Sequence, residues 1–228
     1  MFDADSKVYD PMTGLWTPAR SHESQFQGRA SAIDGNKIYY SDMMGFWKDE
    51  RDCVSILSAR GLSIIVDKES YLVTDKGKKK ARKIAEGDRV ATPRLLMTYN
   101  NRTATDTELT TFALEIIEAH VAPAEAYMLP QQQTRRLLTA IEPSLFGLPR
   151  DLAESIQRLY MRVGVPTEVR KSGPGYSVVL VNDPEGADKE VFWDEVIDVY
   201  EVGETEVWGT TVVRDHNLCV NGFFVSDA

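Results

Sequence analysis

The side chains most able to do chemistry in these 228 residues gather near the C-terminal end. His216 and Asn217 stand side by side, Asn221-Gly222 follows, and the apolar run Phe223-Phe224-Val225 leads into Ser226, Asp227 and Ala228. A histidine exchanges protons near neutral pH, although a lone histidine is more often structural than catalytic. Cys219, between Leu218 and Val220, reads as a small core residue; a reactive role needs a depressed pKa, for which nothing in its surroundings argues. Glu69 acts as an acid only if burial or a neighbouring carboxylate raises its pKa, and the plainer reading is an exposed glutamate at a strand end. The run Lys76-Gly77-Lys78-Lys79-Lys80-Ala81-Arg82-Lys83 is the strong basic tract, and as a solvated strand edge it needs no partner.

The elements that must position these groups fall into three zones. From Met1 to about Arg94, short β-rich runs (Lys7-Val8-Tyr9, Lys37 to Tyr40, Val54 to Leu57, Leu62 to Val66) are punctuated by turns such as Asp10-Pro11-Met12-Thr13-Gly14 and Asp34-Gly35-Asn36. From about Thr107 to Val165 the period becomes helical: Leu109, Phe112 and Ile116 share one face, and Leu152, Ile156, Leu159, Tyr160 and Val163 another. Gly164 is placed to end the second of these. Strands return from Tyr176 to Val181 and from Val191 to Val225. Helices between two blocks of strands predict an insertion within a mainly β domain.

The length suits one large or two small domains. No apolar run reaches the roughly 18 residues that span a membrane, and the first residues lack a signal-peptide pattern. Two cysteines, Cys53 and Cys219, make no disulfide framework and suit a reducing, cytoplasmic setting. A net charge of -9 argues against a general nucleic-acid binder, while leaving room for a local basic patch.

The segment Asp215-His216-Asn217-Leu218-Cys219-Val220-Asn221-Gly222, with the strand after it, resembles the carboxy-terminal signature of inteins, which excise themselves from a host protein and join its flanks. The block Val207-Trp208-Gly209-Thr210-Thr211-Val212-Val213-Arg214-Asp215-His216-Asn217 follows the family pattern, with Gly209 where an Asp is usual. The start is similar to the family's amino-terminal block: Asp5-Ser6-Lys7-Val8 and Tyr9-Asp10-Pro11 fill its places, and the nucleophile position falls on Met1. Ile84-Ala85-Glu86-Gly87-Asp88-Arg89-Val90 matches a further stretch, while the family's Thr-x-x-His upstream is replaced by Val66 and Glu69.

The resemblance implies a mainly β Hint fold: a horseshoe of antiparallel strands carrying an α/β insertion, with both termini brought to one cleft. It implies residues 1–104 and 189–228 as the two parts of the splicing domain and 105–188 as the insertion. It assigns His216, beside Asn217, to assist cyclisation of the terminal residue, Ser226 to the penultimate position, and Asp227 to the terminal one. Ala228 then falls on the downstream nucleophile, or in another register is itself terminal. Met1 cannot attack a carbonyl. Asp cyclises less readily than Asn, and Ala neither cyclises nor attacks. An inactivated precursor or disarmed form of an intein is therefore expected, needing no cofactor and no metal. The resemblance implies its own flanking exteins as partners, and phage or microbial replication enzymes are the usual hosts of the family. The alternative is a catalytically dead Hint-like module whose insertion binds DNA or a protein.

The stretch Leu152-Ala153-Glu154-Ser155-Ile156-Gln157-Arg158-Leu159-Tyr160-Met161-Arg162-Val163-Gly164-Val165 resembles a worn homing-endonuclease helix of the LAGLIDADG class. That chemistry needs an acidic residue at the end of each motif helix to hold a divalent metal. His120 and Ser144 stand at those places, so no nuclease activity is expected. Arg135, Arg136, Arg158, Arg162 and Arg170 are the candidate DNA contacts, against the plainer reading of charged helix faces in water.

Overall fold

A computed structural model of the chain describes residues 1–22, 27–99, 101–183, 186, 189–213 and 216–226. It divides into two compact units: residues 1–11, 16–93 and 189–228, and residues 12–15 with 94–188.

The first unit is antiparallel β. Its strands are β1 (Phe2–Asp3), β2 (Lys7–Tyr9), β3 (Trp16–Pro18), β4 (Gln27–Asp34), β5 (Lys37–Ser58), β6 (Ser63–Asp67), β7 (Tyr71–Thr74), β8 (Gly77–Lys80) and β9 (Arg89–Pro93). After the second unit, which holds the hairpin β10 (Thr167–Ser172) and β11 (Gly175–Leu180), come β12 (Val191–Val212), β13 (Asn217–Val220) and β14 (Phe223–Ser226). The strands of the first unit are joined in the order β3-β2-β13-β14-β7-β9-β12-β1-β6-β5-β4, with β8 paired to β7.

The two 22-residue strands β5 and β12 pair along most of their length, from Val196 opposite Ser58 to Val212 opposite Met43. The sequence shows β5 only as two separate short runs. Its middle, Phe46 to Asp52, is largely exposed, so nothing there imposes the period-2 alternation of a half-buried strand. Register shifts at Val196/Asp198, Glu201/Gly203 and Thr210/Thr211 bend the ribbon.

The core of this unit is made by inward-facing residues of the short strands and of the end of β5, among them Phe2, Val8, Tyr9, Ile56, Ile64, Val66, Leu72, Val90, Phe223 and Phe224, each nearly or wholly buried. β13 and β14 are buried at every position, which is why their sequence reads as a continuous apolar run rather than an alternating one. Asn221 and Gly222, both with positive φ (49° and 84°), form the two-residue turn between them, the turn for which Asn-Gly is the preferred pair.

The second unit contains α1 (Asp106–Glu118), α2 (Gln131–Ile141) and α3 (Arg150–Met161) beside the β10–β11 hairpin. Thr105 and Glu108 form a reciprocal capping box at the start of α1. Gly164, with φ 74°, follows the end of α3. This unit opens at Arg94, ahead of its first helix, with residues 94–99 in neither helix nor strand; the Leu96 N–H donates to Met161 O at 2.9 Å. It also takes in Met12–Leu15, where a Cβ on Gly14 (φ 78°) would lie 2.4 Å from Tyr127 O. Among the described residues no helix is long and apolar enough to cross a membrane.

Candidate active site

Met1 is 8% exposed and packs with Cys53, Val207 and Ile65. Its carbonyl accepts from the Asp67 N–H at 3.0 Å, and its main-chain nitrogen contacts Ser70 Oγ. β1 is held on both sides, Phe2 opposite Val66 on β6 and opposite Trp208 on β12. Asp3 closes the following turn by accepting from the N–H groups of Asp5 and Ser6, at 2.7 and 2.8 Å.

Ser70, rather than Glu69, is therefore the side chain that meets Met1. The two face opposite ways because the alternation of β7 begins in this turn: Ser70, Leu72 and Thr74 are buried, and Tyr71 and Val73 are not. Glu69 is exposed and bridges Lys80 Nζ at 2.6 Å and Arg82 Nε at 3.1 Å. The hydrogen bond from Lys80, with Arg82 nearby, holds its carboxyl below the ordinary range, the reverse of what a proton donor needs. Asp67 and Ser70 are three residues apart, like Val66 and Glu69, but one place further along. The alternation counted back from Leu72 was the signal that could have located Ser70.

The other end of the chain arrives at the same turn. Ser226, on β14, lies opposite Tyr71, next in sequence to Ser70, and opposite Asn217 on β13. Ser226 is fully buried, and its Oγ accepts from Lys78 Nζ at 3.0 Å. Met1 and Ser226 thus contact consecutive residues, Ser70 and Tyr71. Asp215, Asp227 and Ala228 lie outside the described residues.

His216 is exposed, in a turn with φ 49°. Asn217 is 2% exposed, and its amide is occupied with a main-chain group on β4: Oδ1 accepts from the Ile33 N–H at 2.8 Å and Nδ2 donates to Ile33 O at 3.0 Å. Asn221 fastens the β13–β14 turn to the start of β2, its Oδ1 accepting from the Lys7 N–H at 2.7 Å and its own N–H donating to Lys7 O at 2.8 Å. Gly209 lies opposite Trp47, and a Cβ there would come within 2.7 Å of the indole ring. The ring occupies the space that an aspartate at this position would need. Cys53 and Cys219 are free and buried; burial, then the charge of Asp67, pushes the Cys53 thiol up to about 11, leaving it protonated at neutral pH.

In the second unit His120 follows α1 with φ 55°, and Ser144 ends the short 3-10 turn Glu142–Ser144 after α2. The five arginines have partners inside this unit. Arg162 is 1% exposed and donates to Leu96 O and Leu129 O; Arg135 donates to Val163 O. Arg136 pairs with Asp106, Arg158 with Glu154 and Arg170 with Glu168. Arg158 and Arg162 are buried, so neither belongs to the water-facing charged faces expected from the sequence; carbonyls left open at loop ends supply the acceptors that Arg162 needs.

Long paired strands, short strands returning to a central turn, and two chain ends converging there define the Hint fold, the fold of inteins, and this chain has it. Among solved structures it is similar to a variant of the Ssp DnaB mini-intein, with a TM-score of 0.58 at 14% identity, covering 99% of this chain and 92% of that one. A DnaB intein from Synechocystis sp. aligns with a TM-score of 0.56 at 11% identity over 100% and 97% of the two chains. The PabCDC21-1 intein aligns with a TM-score of 0.51 at 14% identity over 100% and 98%. No protein-family model matches the sequence, and no curated protein does.

Proposed function

We propose that this chain is a protein-splicing element that acts on its own flanking segments. The observation that carries the reading is the meeting of Met1 and Ser226 at Ser70 and Tyr71, since intramolecular transfer between two junctions depends on holding them together. In this reading Met1 occupies the upstream junction, Ser70 and the Asp67 N–H contact its peptide groups, and Asp227 closes on its own carbonyl at the downstream junction with Ala228 next. His216, exposed and one residue before the Asn217–Ser226 pair, is in this reading the histidine that assists at that end. Asn217 and Asn221 position strands. Methionine supplies no nucleophile for an acyl shift, so the sequence as it stands supports downstream cleavage more readily than complete splicing. The buried free thiols fit a reducing, cytoplasmic setting.

The test places the segment between two tagged flanks, with Met1→Cys, Asp227→Asn and Ala228→Ser restoring a nucleophile or cyclising amide at each position. Joined flanks and a free excised segment, seen by gel and intact mass, are the expected products. An intact precursor that retains a cooperative fold sinks the reading. A catalytically silent Hint module is the second reading, favoured by the Trp47 ring over Gly209 and by Glu69 tied to Lys80 and Arg82.

A further inference from the structure

A recess of about 290 Å³ opens beside α2, walled by that helix, the end of α3 and the end of β11. Its size lies near the lower bound of small-molecule sites, which run from about 300 to 1,000 Å³. The floor is apolar. Leu138 and Val163 are each 4% exposed, Val165 is partly buried, and Leu180, 55% exposed at the end of β11, forms one wall.

Arg135, Leu138 and Glu142 fall at i, i+3 and i+7 along α2 and line the recess from one face. Arg135 spends one N–H on Val163 O, at 2.8 Å, which leaves the other donors of its guanidinium for a ligand. Glu142 is exposed and enters no ion pair among the described residues. Tyr160 comes from α3 and is 6% exposed. Burial, then the charge of Glu142, holds its hydroxyl above the ordinary pKa, so it stays protonated beside that carboxylate. Among the described residues this hydroxyl has no hydrogen-bond partner. The recess thus joins an apolar floor to a cationic group on one side and an anionic group with a free hydroxyl on the other.

We propose that it binds a linear ω-amino acid. The ligand carboxylate meets Arg135, the ammonium meets Glu142 and the Tyr160 oxygen, and the methylene chain lies over Leu138, Val163 and Leu180. At about 1.5 Å per residue, Arg135 and Glu142 stand about 10 Å apart along α2. Charged hydrogen bonds of about 2.8 Å at each end leave roughly 5–8 Å between the charges of the ligand itself. A chain of about six carbons spans this, since three extended backbone bonds cover at most about 3.6 Å. A plain amine or a plain acid leaves one end unmatched, and an α-amino acid carries its charges too close together to reach both. A free ω-amino acid and a carboxy-terminal lysine with an acylated α-nitrogen present the same two ends. The site is built from the second unit alone, so it stands whether or not the first unit splices.

The experiment follows the methyl NMR signals of Leu138, Val163 and Leu180 in the full chain. The ligands are 6-aminohexanoate, 4-aminobutanoate, hexylamine, hexanoate and Nα-acetyl-lysine. Saturable shifts with 6-aminohexanoate are expected, and 4-aminobutanoate, hexylamine and hexanoate should each bind about tenfold more weakly or worse, the worth of one charged hydrogen bond. Glu142→Gln should weaken 6-aminohexanoate by about the same tenfold factor and leave hexanoate unchanged. Arg135→Met should weaken it likewise and leave hexylamine unchanged, which separates a lost contact from a lost fold. Tighter binding of Nα-acetyl-lysine than of 6-aminohexanoate supports the proposal with a carboxy-terminal lysine as the source. Equal or weaker binding supports it with the free acid. No saturable shift at these methyls overturns the proposal. Equal binding of 6-aminohexanoate, hexylamine and hexanoate overturns it too, since the recess is then indifferent to charge.

Discussion

Asn217→Ala separates a structural asparagine from a chemical one. Asn217 sits beside His216 in the segment that carries the family signature, yet both ends of its amide are taken by Ile33, at 2.8 and 3.0 Å. Ile33 is 4% exposed on β4, the strand at the end of the sheet order. Alanine leaves the Ile33 N–H and C=O without that partner. A buried polar group stripped of its partner costs about 1–3 kcal/mol. Two such groups, with some relief from water entering at the sheet edge, give about 2–4 kcal/mol. With a urea slope of about 1–3 kcal/mol per molar, the unfolding midpoint should fall by roughly 1 M or more. The assay is urea unfolding followed by tryptophan fluorescence and far-UV circular dichroism, beside the cleavage rate at the downstream junction below the unfolding transition. A lower midpoint with the cleavage rate within a few-fold of the parent is expected. An unchanged midpoint with cleavage abolished would show the amide working at the reacting atoms, and the clamp reasoning would be refuted.

Ser70→Ala in the Met1→Cys form should slow upstream cleavage by about 10–100-fold, since it removes a polar contact to the junction. Glu69→Gln should change that rate little, and the comparison by gel kinetics decides between the two neighbours. Gly209→Ala should cost about 1–3 kcal/mol by overpacking against the Trp47 ring, and most of that cost should vanish in the Trp47→Ala background, as read from the two unfolding midpoints. Asp88 offers a pH test. Burial opposes its ionisation, but Lys79 at 2.5 Å and the Ala85 N–H at 2.8 Å outweigh this and hold its carboxyl below the ordinary range. Its ionised form therefore adds stability above the unfolded-state pKa of about 3.9, and that contribution is lost as pH falls through the lower folded-state value. Asp88→Asn should be less stable at pH 7 and show a shallower loss of stability below about pH 4, measured by urea unfolding across the acid range.

The sequence by itself determined much of the local structure. Asn221-Gly222 dictates its hairpin because both residues tolerate positive φ, and the apolar spacing of Leu152, Ile156 and Leu159 sets the buried face of α3. The family resemblance was legible because the strings that carry it are local: Tyr9-Asp10-Pro11, Ile84 to Val90, and His216 to Gly222. Other features needed the tertiary structure. The continuity of β5 through its exposed middle comes from pairing with β12, a partner well over a hundred residues away. Ser70 and Lys78 carry no motif, and strand pairing brings the first to Met1 and the second to Ser226. Asn217 shows the converse, a signature residue whose neighbour across the sheet, Ile33, makes it a clamp. Local spacing sets which way a side chain points along its own strand, whereas only the pairing of distant strands sets what it meets there.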